Sequence, residues 1–209
     1  MPVYDVTVPM HAGMPLWPGD PPFSLEFVRT IAESGIANNS RMAFSSHTGT
    51  HIDAPLHFIE GAATVGDIPP EALVGPCVLV DVGDVALITR DVLEGLDLAG
   101  RKRILFRTTN SAWITERFDE GFVAFSADAA AYLAELGPTL IGIDAPSLDP
   151  RHTPGYPAHM AILGSGAIKG AIEWLALEGL ETGEYDLFCG PLRVMDAEGT
   201  PCRVLLVRP

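Results

Sequence analysis

The chain has 209 residues, of which 47% are hydrophobic, and it carries a formal net charge of −14. This length favours one domain with a large apolar core over two domains. The negative charge argues against nucleic acid and against an anionic membrane surface as partners, since both need a basic footprint. A negatively charged substrate would have to be met by a local arginine or by a metal ion.

The cysteines and the N-terminus indicate the compartment. Cys77, Cys189 and Cys202 are odd in number and widely spaced, so they predict buried apolar thiols in a reducing compartment and no disulfide framework. The first residues lack the basic and apolar regions of a signal peptide, and no apolar run reaches the roughly 18 residues of a membrane span. We therefore expect a cytoplasmic protein.

The first quarter of the chain is predicted to form short strands separated by loops. Strands are expected at residues 3–8, 23–31 and 40–46, and the last of these leads into a run of histidines. The loop between the first two strands contains Trp17 and is rich in proline, which neither a helix nor a sheet ladder tolerates in its interior.

Apolar strands and two amphipathic helices are predicted in the rest of the chain. The strands are expected at residues 77–82, 103–107, 139–144 and 185–190, around Val194, and at 202–207. The helices are expected at residues 88–96, with Thr89 as cap, and at 126–137, with Ser126 at its start and Gly137 past its end. This order predicts a single α/β domain, residues 1–209, with a mixed β-sheet core flanked by helices.

Three of the six histidines, His47, His51 and His57, fall within eleven residues, together with Asp53. Two imidazoles and a carboxylate, with a third imidazole close behind, are a typical ligand set for a divalent metal that activates water. Glycine and β-branched residues between them disfavour a helix, so we predict a strand end joined to a loop, with Asp53 on the same side as His51. His57 is either a fourth ligand or a free general base and acid.

The run His-x-Gly-Thr-His-x-Asp-x-Pro-x-His, residues 47–57, resembles the signature of the cyclase family of metal-dependent hydrolases, which includes bacterial kynurenine formamidases. Further segments resemble the family along nearly the whole chain, at residues 17–20, 141–149, 158–159, 183–187 and 190–193. The resemblance implies a swivelling β/β/α-like fold.

The resemblance also implies a pair of metal ions, zinc in most members and manganese in some. It makes His47, His51 and Asp53 the ligands of the first metal, and Asp53 a bridge to a second metal held by His159 and a downstream glutamate. In formamidases this glutamate lies twelve residues after the histidine, where the present chain has Ala171. We assign Glu173, fourteen residues after His159, because its spacing to the segment that begins at residue 183 fits the family.

The remaining implied roles concern the reaction. His57 matches the catalytic proton donor and acceptor, and Trp17 matches the aromatic residue that lines the substrate pocket. The implied chemistry is attack of a metal-activated hydroxide on a small aryl amide, with N-formylkynurenine giving kynurenine and formate. The family also implies a homodimer or a larger homo-oligomer.

Two alternatives stay open. A cyclic amide such as isatin, or another small amide or ester, would use the same chemistry. A non-catalytic metal-binding protein with this fold would belong to a different class.

Several other residues have ordinary explanations from the sequence. We expect His11 and His152 to be solvated, and Trp113 and Trp174 to be core or interface aromatics. Asp144 ends an apolar strand and either supports the site or caps a turn.

Overall fold

The computed structural model describes residues 1–208. Within them the strands are β1 Val3–Asp5, β2 Ser24–Arg29, β3 Asn39–Ala43, β4 His51–Asp53, β5 Val74–Asp81, β6 Arg103–Arg107, β7 Leu140–Ile143, β8 Gly170–Glu173, β9 Gly183–Pro191 and β10 Gly199–Val207. The α-helices are α1 Ile31–Ser34, α2 Pro70–Leu73, α3 Arg90–Glu94, α4 Ala127–Leu136 and α5 Pro157–Gly164.

Eight strands form one mixed sheet in the order β1-β10-β4-β8-β7-β6-β5-β9, and β9 also pairs with β10. The sheet therefore closes into a barrel. The neighbours from β5 to β8 run parallel, whereas the other pairs of this sheet are antiparallel. The predicted mixed sheet flanked by helices is confirmed, and its closure is an additional feature.

Alternating side chains of the parallel strands build two cores. In β6, Ile104 and Phe106 face the layer of helices, while Leu105 faces the barrel interior. The interior has no space for a side chain at Gly142 of β7, since a Cβ there would lie 2.7 Å from Leu105 Cδ2. This pattern follows the two-residue period of a strand that is buried on both faces.

Local signals placed α4 correctly. Ser126 Oγ accepts a hydrogen bond from the backbone N–H of Ala129, and Gly137 ends the helix with φ of 64°. The helix predicted at 88–96 is shorter, Arg90–Glu94, and Thr89 precedes it without a side-chain capping bond. Of these two helices, only α4 combines a long apolar face with caps at both ends.

Five segments differ from the sequence expectations. The stretch around Val194 is a loop and not a strand. The one-turn helices α1 and α2 were not expected, and α1 begins at Ile31, where a strand was predicted to end. Strand β8 and helix α5 were not expected either, although they carry two predicted ligands, Glu173 and His159.

The topology places the carboxyl ends of β6, β7 and β8 at the same edge of the barrel, next to β4. Ligand sites in sheets with parallel strands usually lie at this edge. No helix in residues 1–208 is long and apolar enough to cross a membrane. Cys77, Cys189 and Cys202 are buried and unbridged, as predicted.

Candidate metal centre and active site

The short strand β4 brings most of the predicted ligands together. His51 and Asp53 are two residues apart and project to the same side of β4, whose neighbours are β8 and β10. Glu173 lies directly opposite His51 in the antiparallel β4–β8 pair. His159 is in the first turn of α5, whose first residue is Pro157.

His47 and His57 flank β4 on either side. His47 lies in the turn that precedes the strand, and His57 ends the 3-10 helix Pro55–His57 that follows it. The histidine run is not an α-helix, and Asp53 lies on the same side as His51, as predicted. The predicted order of a strand end followed by a loop is wrong: a turn comes first, and the strand covers the middle of the run because His51 to Asp53 pair with β8 and β10.

The Asp53 carboxylate lies between two groups of imidazoles. Its Oδ1 is 2.9 Å from His47 Nδ1 and 3.3 Å from His51 Nε2, and its Oδ2 is 3.8 Å from His159 Nε2. Glu173 also faces both groups, with Oε2 3.4 Å from His51 Nε2 and Oε1 3.2 Å from His159 Nε2. All five predicted metal-ligating side chains therefore converge on one location.

Three atoms of this cluster are buried without hydrogen-bond partners among the described residues: His51 Nε2, Asp53 Oδ1 and Asp53 Oδ2. Unpartnered buried polar atoms are costly and rare in native proteins. A divalent cation would satisfy all three, and nitrogen and carboxylate donors suit zinc and manganese. Among the described residues, two sets of three side chains have donor atoms that all lie within 4.8 Å of one another. One set is His47, Asp53 and His57, and the other is His51, Asp53 and Glu173.

Hydrogen bonds to the other ring nitrogen prepare two imidazoles for a cation. His51 Nδ1 is 2.9 Å from the carbonyl oxygen of Gly49, and His159 Nδ1 is 2.6 Å from Asp149 Oδ2. Because both partners are acceptors, the neutral form of each ring keeps its proton on Nδ1 and offers the lone pair of Nε2 to a cation in the cluster. Asp149 also accepts from the backbone N–H groups of Ala158 and His159, which fixes the start of α5.

His47 has a partner on its outer side that the sequence analysis did not identify. Glu198 Oε1 is 3.4 Å from His47 Nε2 and accepts a 2.6 Å hydrogen bond from Ser46 Oγ. Gly199 follows and touches the same ring, since a Cβ at this glycine would lie 2.7 Å from His47 Cε1. Glu198 and Gly199 are remote from His47 in sequence, so no local pattern could have indicated the contact.

The electrostatics of the cluster favour positive charge between the carboxylates. Burial lowers the pKa of His51, but Asp53 and Glu173 outweigh it and raise this pKa to about 10. Burial likewise opposes the charge on His159, yet Asp149, Glu173 and Asp53 raise its pKa to about 9. Burial raises the pKa of Asp53, but the neighbouring imidazoles hold it well below its usual value. Imidazolium or a divalent cation can supply this charge.

His57 differs from these imidazoles. Burial lowers its pKa, and the positive charges of His47 and His159 add to this, while the carboxylates of Asp53 and Glu173 oppose it. Its ring centroid is 4.2 Å from that of His47 and 5.9 Å from that of His159. A neutral imidazole at this position can accept a proton beside the cluster, and it can also act as a ligand.

A cavity of about 260 Å³ opens onto the cluster. It is lined by the side chains of His47, His51, His57, His159 and Glu173 together with Trp17, Asp20, Phe58, Pro146, Ser147, Tyr156 and Trp174. A larger surface cleft, about 730 Å³, lies near Arg103 at the amino ends of the parallel strands, and its lining within residues 1–208 contains no comparable donor set. The smaller cavity combines an apolar aromatic wall with convergent polar groups, which is typical of a substrate site.

Trp17 lies in the cavity wall, where its ring packs edge-on against Phe118 at a centroid distance of 5.5 Å. Trp174 is buried, as expected of a core aromatic, and also lines the cavity. It follows Glu173 with φ of 57°, a left-handed conformation that bulky residues rarely adopt. Two hydrogen bonds hold this turn in place. The Trp174 N–H donates to the Ala145 carbonyl oxygen, and the Trp174 carbonyl oxygen accepts from Thr50 Oγ1.

The remaining sequence candidates lie outside the cluster. Asp144 Oδ2 accepts hydrogen bonds from the backbone N–H groups of Thr108 and Ser111 and from Ser111 Oγ, so it caps a turn. His11 and His152 are exposed, as expected.

Comparison with known proteins identifies the family. The cyclase family model matches residues 4–150, more than half of the chain. A kynurenine formamidase of Bacillus cereus is 37% identical over 98% of this chain and 96% of its own length. A kynurenine formamidase of Paracidovorax citrulli is 35% identical over 99% of this chain and 97% of its own length. The chain belongs to the cyclase family.

Solved structures agree with this assignment. A potential metal-dependent hydrolase with cyclase activity superposes with a TM-score of 0.86 at 38% identity, covering 100% of this chain and 99% of that chain. Isatin hydrolase A from Labrenzia aggregata, bound to benzyl benzoate, superposes with a TM-score of 0.82 at 26% identity, covering 100% of this chain and 94% of that chain.

Proposed function

We propose that the protein is a metal-dependent hydrolase of small aryl amides. We propose further that its substrate is an aryl formamide, with N-formylkynurenine as the leading candidate. The observation that carries this proposal is the buried donor cluster with three unpartnered atoms at the base of an aromatic cavity. The full-length similarity to kynurenine formamidases supports the formyl group as the part that is removed.

The proposal includes two divalent cations, zinc or else manganese, held by His47, His51, Asp53, His159 and Glu173. The two oxygens of Asp53 face different imidazoles, which suits a bridging carboxylate. A divalent cation bound there supplies the Lewis acidity that makes water reactive near neutral pH.

The side chains of the cavity bind the aryl ring and transfer the protons. The aromatic wall that includes Trp17 and Trp174 excludes water and holds the aryl ring. Hydrolysis breaks the bond between the formyl carbon and the amide nitrogen, adds a water oxygen to the carbon and adds a proton to the nitrogen. His57 takes a proton from water and delivers it to the leaving nitrogen, a role for which its lowered pKa keeps it neutral beforehand.

Opening of a cyclic amide is the second candidate, and the similarity to isatin hydrolase A favours it. The two substrates separate the candidates when purified protein of known metal content is assayed with both. Formate release from N-formylkynurenine supports the first candidate, and isatin ring opening alone supports the second. Tight metal binding without turnover of either compound supports a non-catalytic metal-binding protein.

Two further expectations complete the proposal. The cytoplasmic location predicted from the sequence is tested by fractionation of the source cells. The homodimer or larger homo-oligomer is tested by measuring the mass in solution.

A further inference from the structure

Asp20 is an acidic residue of the cavity lining that does not belong to the metal cluster. It is half-buried, and its backbone N–H donates to the Trp17 carbonyl oxygen at 3.0 Å, so one turn presents both side chains. Among residues 1–208, its carboxylate forms no hydrogen bond or ion pair. A partly desolvated carboxylate without a partner in a substrate cavity is free to bind a ligand.

The other charges around the cavity show which ligand group it fits. Within the described chain, no lysine or arginine lines the cavity, and the other titratable groups of its wall are the clustered histidines and Glu173, besides the Tyr156 phenol. Arg151 lies over the Trp17 ring at 5.4 Å but outside the cavity wall. It forms an ion pair with Glu120 at 3.1 Å, and its buried Nη1 has no hydrogen-bond partner among the described residues. In the cavity wall itself, an anionic substituent meets no complementary charge away from the cluster, whereas a cationic substituent meets Asp20.

We infer that Asp20 binds an ammonium group of the substrate and that the enzyme selects aryl formamides that carry a primary amine. This inference rests on the proposed function. The amide faces the cluster, the ring contacts the aromatic wall, and the ammonium group donates to the Asp20 carboxylate. A charge-assisted hydrogen bond in a partly buried place discriminates against ligands that lack the amine.

An ammonium-binding Asp20 distinguishes by charge among the substrates that the family chemistry leaves open. N-formylkynurenine is a zwitterion whose α-ammonium group is accompanied by an α-carboxylate, and its decarboxylated amine carries the ammonium group alone. Isatin and formanilide are neutral, and N-formylanthranilate is an anion that the Asp20 carboxylate repels. Asp20 is therefore a specificity-determining residue and takes no part in bond breaking.

The test compares kcat/KM for four compounds: N-formylkynurenine, its decarboxylated amine, formanilide and N-formylanthranilate. The wild-type protein should prefer the decarboxylated amine over formanilide. In Asp20→Asn the ratio of kcat/KM for the decarboxylated amine to kcat/KM for formanilide should fall about tenfold or more. Asp84→Asn, which removes an exposed acid outside the cavity, is the matched control for net charge and should retain the wild-type preference.

Ionic strength gives a second readout, since salt screens a partly exposed ion pair. KM for the decarboxylated amine should rise with salt in the wild-type protein and should be insensitive to salt in Asp20→Asn. The inference would be overturned if wild-type protein showed no preference for the amine. It would also be overturned if Asp20→Asn lost activity equally on every compound. Failure of the proposed function looks different, because metal-loaded wild-type protein then hydrolyses none of the four compounds.

Discussion

Gly199 lies directly against the imidazole of His47, so closely that a Cβ would come within 2.7 Å of His47 Cε1 and 3.1 Å of Nε2. The glycine begins β10 and is aligned with Asp53 of β4. The absence of a side chain in one strand thus leaves room for His47, a proposed metal ligand that precedes the neighbouring strand.

Gly199→Ala should displace His47 and weaken metal binding about tenfold or more. The backbone of Gly199 does not require glycine, since its φ is not in the left-handed region, so the effect reports the contact with the ring. Competition with a chelator measures the affinity. Gly190→Ala is the control, because its Cβ would lie at an ordinary 3.6 Å from the Arg203 carbonyl oxygen. Equal metal affinity in both variants would contradict the seating role.

Asp149→Asn should lower metal affinity about 10- to 100-fold. The amide of asparagine can donate to His159 Nδ1, which places the proton of the ring on Nε2 and removes the lone pair from the cluster. Zinc content after dialysis against a weak chelator measures the loss. Asp128→Asn is a suitable control, since Asp128 also accepts from a first-turn amide of a helix but lies away from the cluster. Unchanged zinc retention in Asp149→Asn would show that the tautomer of His159 is set in another way.

His57→Ala should lower kcat on an aryl formamide by about 10²- to 10⁴-fold while the metal content stays at the wild-type level. The substitution removes the proton carrier but none of the five side chains proposed to hold the metals. Elemental analysis and formate release give the two quantities, and His152→Ala, an exposed histidine, serves as control. Loss of metal together with activity would make His57 a ligand, the alternative that its position beside His47 also allows.

The stability of metal-stripped protein should fall as pH rises above neutral. The pKa of His51 is raised from 6.5 to about 10 and that of His159 from 6.5 to about 9. Groups with a raised folded-state pKa stabilise fully below pH 6.5, and this contribution disappears as pH rises through 9 to 10. The melting temperature of metal-stripped protein should therefore fall between pH 7 and pH 10.

The same titration should strengthen metal binding, because histidines bind metal in their neutral form and release protons as they do so. The rise in melting temperature on adding zinc should thus be larger at pH 9 than at pH 7. Calorimetry of stripped and loaded protein at both values measures the difference. A zinc-induced shift that is constant or declines over this range would contradict the assignment of His51 and His159 as ligands.

The sequence was most informative where function and structure are local. His47, His51, Asp53 and His57 could be read as one unit because a short strand and its flanking turns bring them together. Helix α4 could be placed because its serine cap, apolar face and terminal glycine are all near each other in sequence.

Segments that depend on distant partners were missed. Strand β8, with the residues Gly-Ala-Ile-Glu, has little strand propensity of its own and is a strand because β4 and β7 pair with it. Helix α5 is eight residues long and begins beside Asp149, which accepts from its first amides. Closure of the barrel by β9 and β10, and the approach of Glu198 to His47, likewise have no local signature.

We propose that a two-metal cluster makes this chain an aryl amide hydrolase, and a zinc titration tests this most directly. Chelator-stripped protein should be titrated with zinc while formate release from N-formylkynurenine is followed. We expect no turnover at the start and a rise that levels off at two equivalents per chain, and the Asp53→Ala variant should recover no activity at any ratio. Full turnover by stripped protein, or saturation at one equivalent, would contradict it.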